Sequence, residues 1–339
     1  MPVVDFGMVS LGYSLGEPRD VAANASRYGV QLDFLQQLGF HTYHEVANGE
    51  TTAVLGAQAG RSALRKGGVD PAEVDLLVVA STTIPEYLNW DLSAGVAREL
   101  GLRGTPTLLF TQGCAATVLG FAQIAGVFAT REDIQTILYV AAERVNPTHT
   151  KRLGGSTADS DGAVAAVLQR GHSSLRWLAT QEVRDSEYAD FFRLEYGGSA
   201  VPVPPAGKSN LTTHPVYQVY HYFRNDQEGF HEFGRMCDRR LVEAIDGACA
   251  QAGVDRADLS RVILLHDNQP SMKKAAEDLG IPLDRTNAGL AAGLGHFGSL
   301  DPLMSLCIYQ EQGDLRTGEM VALAGMSSGM CWFCTLVEV

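Results

Sequence analysis

Short, continuous apolar runs punctuate this chain. Leu76-Leu77-Val78-Val79-Ala80, Val262-Ile263-Leu264-Leu265 and residues 136–142, 163–168 and 321–324 each read as a strand covered on both faces. Helical stretches lie between them, around residues 53–66 and 239–252, and this alternation predicts a layered α/β architecture. The pattern also repeats. Gly68-Val69-Asp70-Pro71-Ala72-Glu73 follows the first helix and leads into the strand at Leu76. Gly253-Val254-Asp255-Arg256-Ala257-Asp258 does the same before the strand at Val262. A helix ending at Gly, a short turn and a buried strand, met twice, predicts two duplicated halves, here residues 1–172 and 173–339. Between about 184 and 234 periodicity fails. Pro202, Pro204, Pro205, Pro215, His214, His221, His231 and many aromatics crowd this stretch, which reads as a cap shaping a pocket.

Composition narrows the class. The 339 residues are 45% hydrophobic and 19% charged, enough for a large core and unlike disordered chains. A formal charge of −13 argues against nucleic acid as a partner, because phosphates demand a basic surface. No segment reads as apolar enough to span a membrane, and no basic-then-apolar signal opens the chain. Six cysteines (114, 237, 249, 307, 331 and 334) in a chain this long make no disulfide framework, which points to a reducing cytoplasm. Cys331 and Cys334 have the spacing of a redox or zinc pair. They lie in a strand-like run, however, where residues three apart face opposite sides, so a structural role is expected and no metal.

Cys114 carries the most pointed chemistry. Leu108-Leu109-Phe110 leads through Thr111-Gln112-Gly113-Cys114-Ala115-Ala116 into a small-residue helix running to Thr130. A thiol at a strand-to-helix elbow meets the positive end of the helix dipole, whose free amides favour a thiolate and an oxyanion. A lone cysteine in apolar sequence is otherwise buried filler, so partners matter. Three segments offer them: His266-Asp267-Asn268 at a strand end, Gly293–Pro302 with His296 and Asp301, and the tight turn Gly325-Met326-Ser327-Ser328-Gly329.

With these motifs in order, the chain resembles the β-ketoacyl-ACP synthase III group of the thiolase superfamily over nearly its whole length. The Cys114 elbow is similar to that family's nucleophile motif, Asp159-Ser160-Asp161-Gly162-Ala163 to its Gly-Asp-Gly-Ala element, and His266 with Asn268 to its first histidine segment. Gly329 and Trp332 are similar to its terminal glycine loop. The resemblance implies a five-layer αβαβα thiolase fold and an oxyanion hole from the amides of Cys114 and Gly329. It further implies a homodimer formed through the N-terminal half and no cofactor beyond the acyl carrier.

One departure redirects the chemistry. Condensing members carry Asn in a Gly-Asn-Thr-Ser element, where this chain reads Gly295-His296-Phe297-Gly298. The Gly-His-x-Gly-x-x-Asp pattern resembles synthase-III-like acyltransferases of antibiotic pathways, which use a Cys-His-Asp triad. The expectation is therefore an acyltransferase in secondary metabolism that moves an acyl group from acyl-CoA or acyl-ACP, through acyl-Cys114, to a small-molecule hydroxyl, amine or carrier thiol. Cys114, His266 and Asp301 form the expected triad, with His296 and Asn268 as auxiliaries. The alternative is decarboxylative condensation through Cys114, His266 and His296. Asp301 before Pro302 is also a natural helix cap, and both roles are compatible. Lys151, Arg152, Arg235, Arg239 and Arg240 are the cations available to dock an acidic carrier.

Overall fold

Among the described residues there are eleven strands, most of them on the apolar runs: β1 (Phe6–Leu15), β2 (Glu17–Asp20), β3 (Thr42–Glu45), β4 (Leu76–Ser81), β5 (Thr107–Thr111), β6 (Thr136–Glu143), β7 (Gly162–Arg170), β8 (Arg176–Arg184), β9 (Leu259–Leu264), β10 (Met320–Ser327) and β11 (Cys331–Glu338). Ten α-helices among the described residues join them: α1 (Val21–Tyr28), α2 (Leu32–Leu38), α3 (Thr52–Gly67), α4 (Leu92–Leu100), α5 (Ala116–Thr130), α6 (Tyr217–Tyr222), α7 (Gln227–Ala252), α8 (Gln269–Leu279), α9 (Ala288–Leu294) and α10 (Asp301–Gln312). The structure is a computed structural model and describes residues 4–47, 49–82, 86–213 and 216–339. His214 and Pro215 of the expected cap lie outside the described residues.

The repeat read in the sequence is a repeat of topology. One half-sheet has the order β5-β4-β6-β7-β1 and the other β9-β10-β11-β8. In the first, β4 and β6 are parallel while β6–β7 and β7–β1 are antiparallel. The second repeats this, with β9–β10 parallel and β10–β11 and β11–β8 antiparallel. The equivalent helices α3 and α7 both end at a left-handed glycine, Gly68 (φ 64°) and Gly253 (φ 72°), where a side chain would be strained. The second helix begins at Gln227, twelve residues before the expected start, taking the end of the cap stretch into regular structure.

Three apolar clusters set the layers. Leu55 and Leu64 of α3 and Val96 of α4 pack on Val79, Val140 and Val167, outside the first half-sheet. Ile245 and Ala248 of α7 with Met272 of α8 pack on Val262, Trp332 and Leu336, outside the second. Between the sheets lie Val118, Phe121 and Phe128 of α5 and Leu303, Met304 and Leu306 of α10. The result is the αβαβα thiolase sandwich, an α/β fold. In the middle layer, α5 is apolar nearly all round: Ala116–Phe121, Ile124, Ala125 and Phe128 are buried, while Gln123, Gly126 and Ala129 of its second half are exposed. Residues Gly113–Thr130 are long and apolar enough by composition to cross a membrane, which corrects the expectation that no segment approaches this; here they fill the core.

Cys331 and Cys334 are free and buried. Cys331 belongs to the middle cluster and Cys334 to the outer one, so the strand turns them to opposite faces. The cap aromatics Phe191, Phe223 and Phe233 are buried against one another and join the outer cluster, with Phe191 and Phe233 centroids 5.2 Å apart.

Candidate active site

The two middle-layer helices bring the chemistry together. Each starts at the same end of the sandwich, and Cys114 precedes α5 much as Asp301 opens α10. Gly113 has φ 56°, and a Cβ there would stand 2.6 Å from the Ser327 hydroxyl and 2.8 Å from that of Ser328. The glycine thus lets the β10–β11 turn close on the elbow, where Ser327 Oγ donates to the carbonyl of Gln112 at 3.4 Å. Gly329, at φ 72°, sits in that turn.

His296 stands between thiol and carboxylate. Its Nε2 is 3.9 Å from Cys114 Sγ, and its Nδ1 is 2.6 Å from Asp301 Oδ2. A carboxylate only accepts, so Nδ1 carries the proton and Nε2 is left to exchange one with the sulfur. The backbone of His296 is clamped from both sides: its N–H donates to Ala158 O at 2.7 Å, and its carbonyl accepts from Ser160 N at 2.8 Å. This is where Asp159-Ser160-Asp161-Gly162 acts. Gly295, at φ 74°, has no room for a Cβ, which would fall 2.4 Å from Ala158 O.

Asp301 is fully buried and saturated. Oδ2 accepts from the His266 amide at 2.7 Å as well as from the His296 ring, and Oδ1 accepts from Phe297 N at 2.7 Å. Burial alone would raise its pKa, but the two histidines outweigh it and hold the carboxyl below its ordinary range. Burial likewise opposes charge on His296, yet Asp301 and Cys114 raise this imidazole well above its ordinary value. Asp301 does not cap α10. The cap position is Leu300, without a side-chain bond, so the carboxylate is given wholly to the histidines and the loop.

His266 requires a correction. The expectation made it the imidazole linking Cys114 to Asp301, but its ring nitrogens are taken elsewhere, Nδ1 by Gly295 O at 2.6 Å and Nε2 by Ser305 Oγ at 2.8 Å. Asp301 Oδ1 is 3.5 Å from the ring, a weak contact beside its bond to the backbone amide. Burial lowers the His266 pKa despite the nearby carboxylate. The residue expected as an auxiliary, His296, holds the central place. The physical reason is register: His296 follows the glycine that crosses Ala158, while Ser305, one turn into α10, draws the His266 ring into the core.

Asn268 is the N-cap of α8, its Oδ1 accepting from Ser271 N at 3.0 Å and its amide donating to Asp267 Oδ1 at 2.8 Å. Asp159 and Asp267 flank His296 closely enough to feel its charge, and burial raises both above the ordinary carboxylate range. Of the expected docking cations, Arg152 is buried on Asp161 at 2.6 Å and is not a surface group. Arg235 and Arg239 share Glu232, and Arg240 pairs with Glu243. Sequence reasoning missed Asn287 and Ser305; the signal for Ser305 was a lone hydroxyl inside the apolar start of α10.

This arrangement lies on a thiolase fold. A family model described as 3-oxoacyl-[acyl-carrier-protein (ACP)] synthase III C terminal matches residues 249–339. The chain is 25% identical over 315 residues to acetoacetyl CoA synthase NphT7 of Streptomyces sp. (strain CL190), covering 91% of each. It is 26% identical over 293 residues to β-ketoacyl-[acyl-carrier-protein] synthase III of Synechocystis sp., covering 85% of this chain and 84% of that one. Among solved structures, an acyltransferase named ChlB3 superposes with TM-score 0.86 at 20% identity, covering 99% and 98% of the two chains. The 3-oxoacyl-[acyl-carrier-protein] synthase III of Aquifex aeolicus VF5 superposes with TM-score 0.78 at 18% identity, covering 98% and 100%. The chain thus has the thiolase fold and is similar to synthase III-type enzymes over most of its length, with the synthase III C-terminal model matching its last quarter.

Proposed function

We propose that the protein is an acyltransferase working through an acyl-Cys114 thioester. The observation that carries this reading is the linear array Cys114 Sγ–His296–Asp301, with contacts of 3.9 and 2.6 Å. An acyl-CoA or acyl-ACP gives its acyl group to the sulfur while His296 takes the thiol proton, and the departing thiolate leaves with a proton. The amides of Cys114 and Gly329 hold the tetrahedral oxyanion. His296 then removes the proton of an acceptor hydroxyl, amine or carrier thiol as it attacks the acyl-enzyme. Asp301 fixes the tautomer and stabilises the imidazolium.

An enolate formed by decarboxylation instead needs two donors at one carbonyl oxygen. Here one imidazole is bonded to a carboxylate and the other to Ser305 and Gly295 O, which supports transfer over condensation. The test is incubation with a malonyl thioester and candidate acceptors, following CO2 and product mass. Acyl transfer without CO2 is expected; CO2 release coupled to chain lengthening refutes the reading and favours the condensing one.

The reading includes a homodimer. Strand β5 forms one edge of the large sheet, and Leu108 on it is 40% exposed; Tyr87 and Leu88 in the same half are 65% and 77% exposed. An exposed apolar edge strand suits pairing with a second copy.

A further inference from the structure

His266 is buried to 1% exposure at the heart of the site, yet the transfer mechanism leaves it without a task. Its surroundings define its state. Gly295 O can only accept, so Nδ1 carries the hydrogen at 2.6 Å. In the neutral ring, which burial favours, Nε2 accepts from the Ser305 hydroxyl at 2.8 Å. Ser305 Oγ in turn accepts from Asn287 Nδ2 at 3.0 Å. Asn287 is itself fixed, accepting from Leu264 N and donating to Leu264 O, each at 2.8 Å. The chain of donors runs one way, from the β9 backbone through Asn287 and Ser305 to the imidazole and on to Gly295. Asn287 and Ser305 are both fully buried, so no water competes for these bonds.

We infer that Asn287 and Ser305 are positioning residues that lock His266 as a neutral, Nδ1-protonated ring turned away from the sulfur, so that it braces the Gly295–His296 loop and Asp301 rather than exchanging protons. The brace is concrete: the ring holds the carbonyl just before His296, and the backbone N–H of the same residue holds the oxygen of Asp301 that orients His296. An imidazole whose only acceptor nitrogen is occupied by a buried hydroxyl cannot accept a substrate proton without breaking that bond. The site therefore has one working base and one structural histidine. This rests on the acyltransferase reading for the role of His296, but the geometry of His266 stands independently of it.

The experiment uses the full-length protein with 15N-labelled histidine and an acyl-CoA donor. Histidine ring NMR should show His266 as the Nδ1–H tautomer, not titrating between pH 5 and 8; in Ser305→Ala the tautomers should mix and the ring should titrate in that window. In single-turnover intact-mass assays, His266→Asn, whose amide can still donate to Gly295 O, should keep more than a tenth of the wild-type acylation rate. His266→Ala should fall further in kcat with KM unchanged. A fall in His266→Asn below one hundredth, within the about 10²–10⁴ range of a lost general base, overturns the inference. So does a rate between one tenth and one hundredth, or a wild-type ring that titrates. If His296→Asn retains its rate while His266→Asn loses it, the acyltransferase assignment fails as well. If both lose it, only the brace fails.

Discussion

Replacing Asp301 with Asn probes the array with the least change of shape. The carboxylate accepts three hydrogen bonds of 2.6–2.7 Å, from His296 Nδ1, His266 N and Phe297 N. An amide has one acceptor oxygen. If its NH2 replaces Oδ1, it faces the Phe297 amide donor to donor. If it replaces Oδ2, it drives His296 to the Nε2–H tautomer, which cannot take the thiol proton, and confronts the His266 amide. Either way a buried donor loses its acceptor, at about 1–3 kcal/mol of stability. The corresponding change in a serine-protease triad costs about 10⁴ in turnover. A thiol needs less help from its base than an alcohol, so about 10³ in acylation rate is expected here, or about 4 kcal/mol in activation free energy. The imidazole pKa should also fall, because Asp301 is what outweighs burial in raising it. The assay is rapid-quench intact-mass detection of acyl-Cys114, with NMR titration of His296. A variant that folds normally and acylates within tenfold of wild type refutes the reasoning.

Other expectations follow from the same geometry. Cys114→Ala should abolish the mass adduct, and an adduct of unchanged mass on that variant would remove the sulfur from the mechanism. Gly295→Ala should cost about 1–3 kcal/mol from its φ of 74° alone, and more from the approach to Ala158 O, read as a lowered denaturation midpoint with loss of acylation. The folded-state pKa of His266 is lowered, so stability from this group is full above the ordinary value of about 6.5 and is lost as pH falls from there. His296 is raised, and its contribution is already constant below about 6.5. Urea titrations from pH 6.5 to 5 should therefore show a shallower loss in His266→Asn than in wild type; equal slopes contradict the neutral ring. Leu108→Lys on the β5 edge should convert a dimer to monomer by light scattering, and an unchanged mass would remove that edge as the interface.

Much of the architecture was legible because burial on both faces leaves an unmistakable mark. Apolar runs such as Leu76–Ala80 are strands, and Gly68 and Gly253 announced the repeat because helix ends need left-handed glycines. Cys114 was legible for a similar reason, since a strand-to-helix elbow shows in local composition. Which histidine meets the sulfur was not. His266 follows strand β9 and His296 follows helix α9, each after an apolar stretch, and sequence carries no trace of ring orientation. That choice was made by Ser305 and Asn287, distant in sequence and individually unremarkable. Asp301 was found through its spacing from His296, but its freedom from capping depended on the turn before α10.

Among the described residues one ladder pair, Gly7 and Arg176, joins the two half-sheets, with Phe6 stacked on Trp177 beside it. What registers one half against the other is therefore the filling between them, and that filling is α5 and α10, the helices that begin at the thiol and the carboxylate. Mutational drift far inside, at Phe121 or Leu303, would be felt as a change in spacing between sulfur and imidazole before it was felt as unfolding. In such a molecule the reactive end serves as a strain gauge for the join.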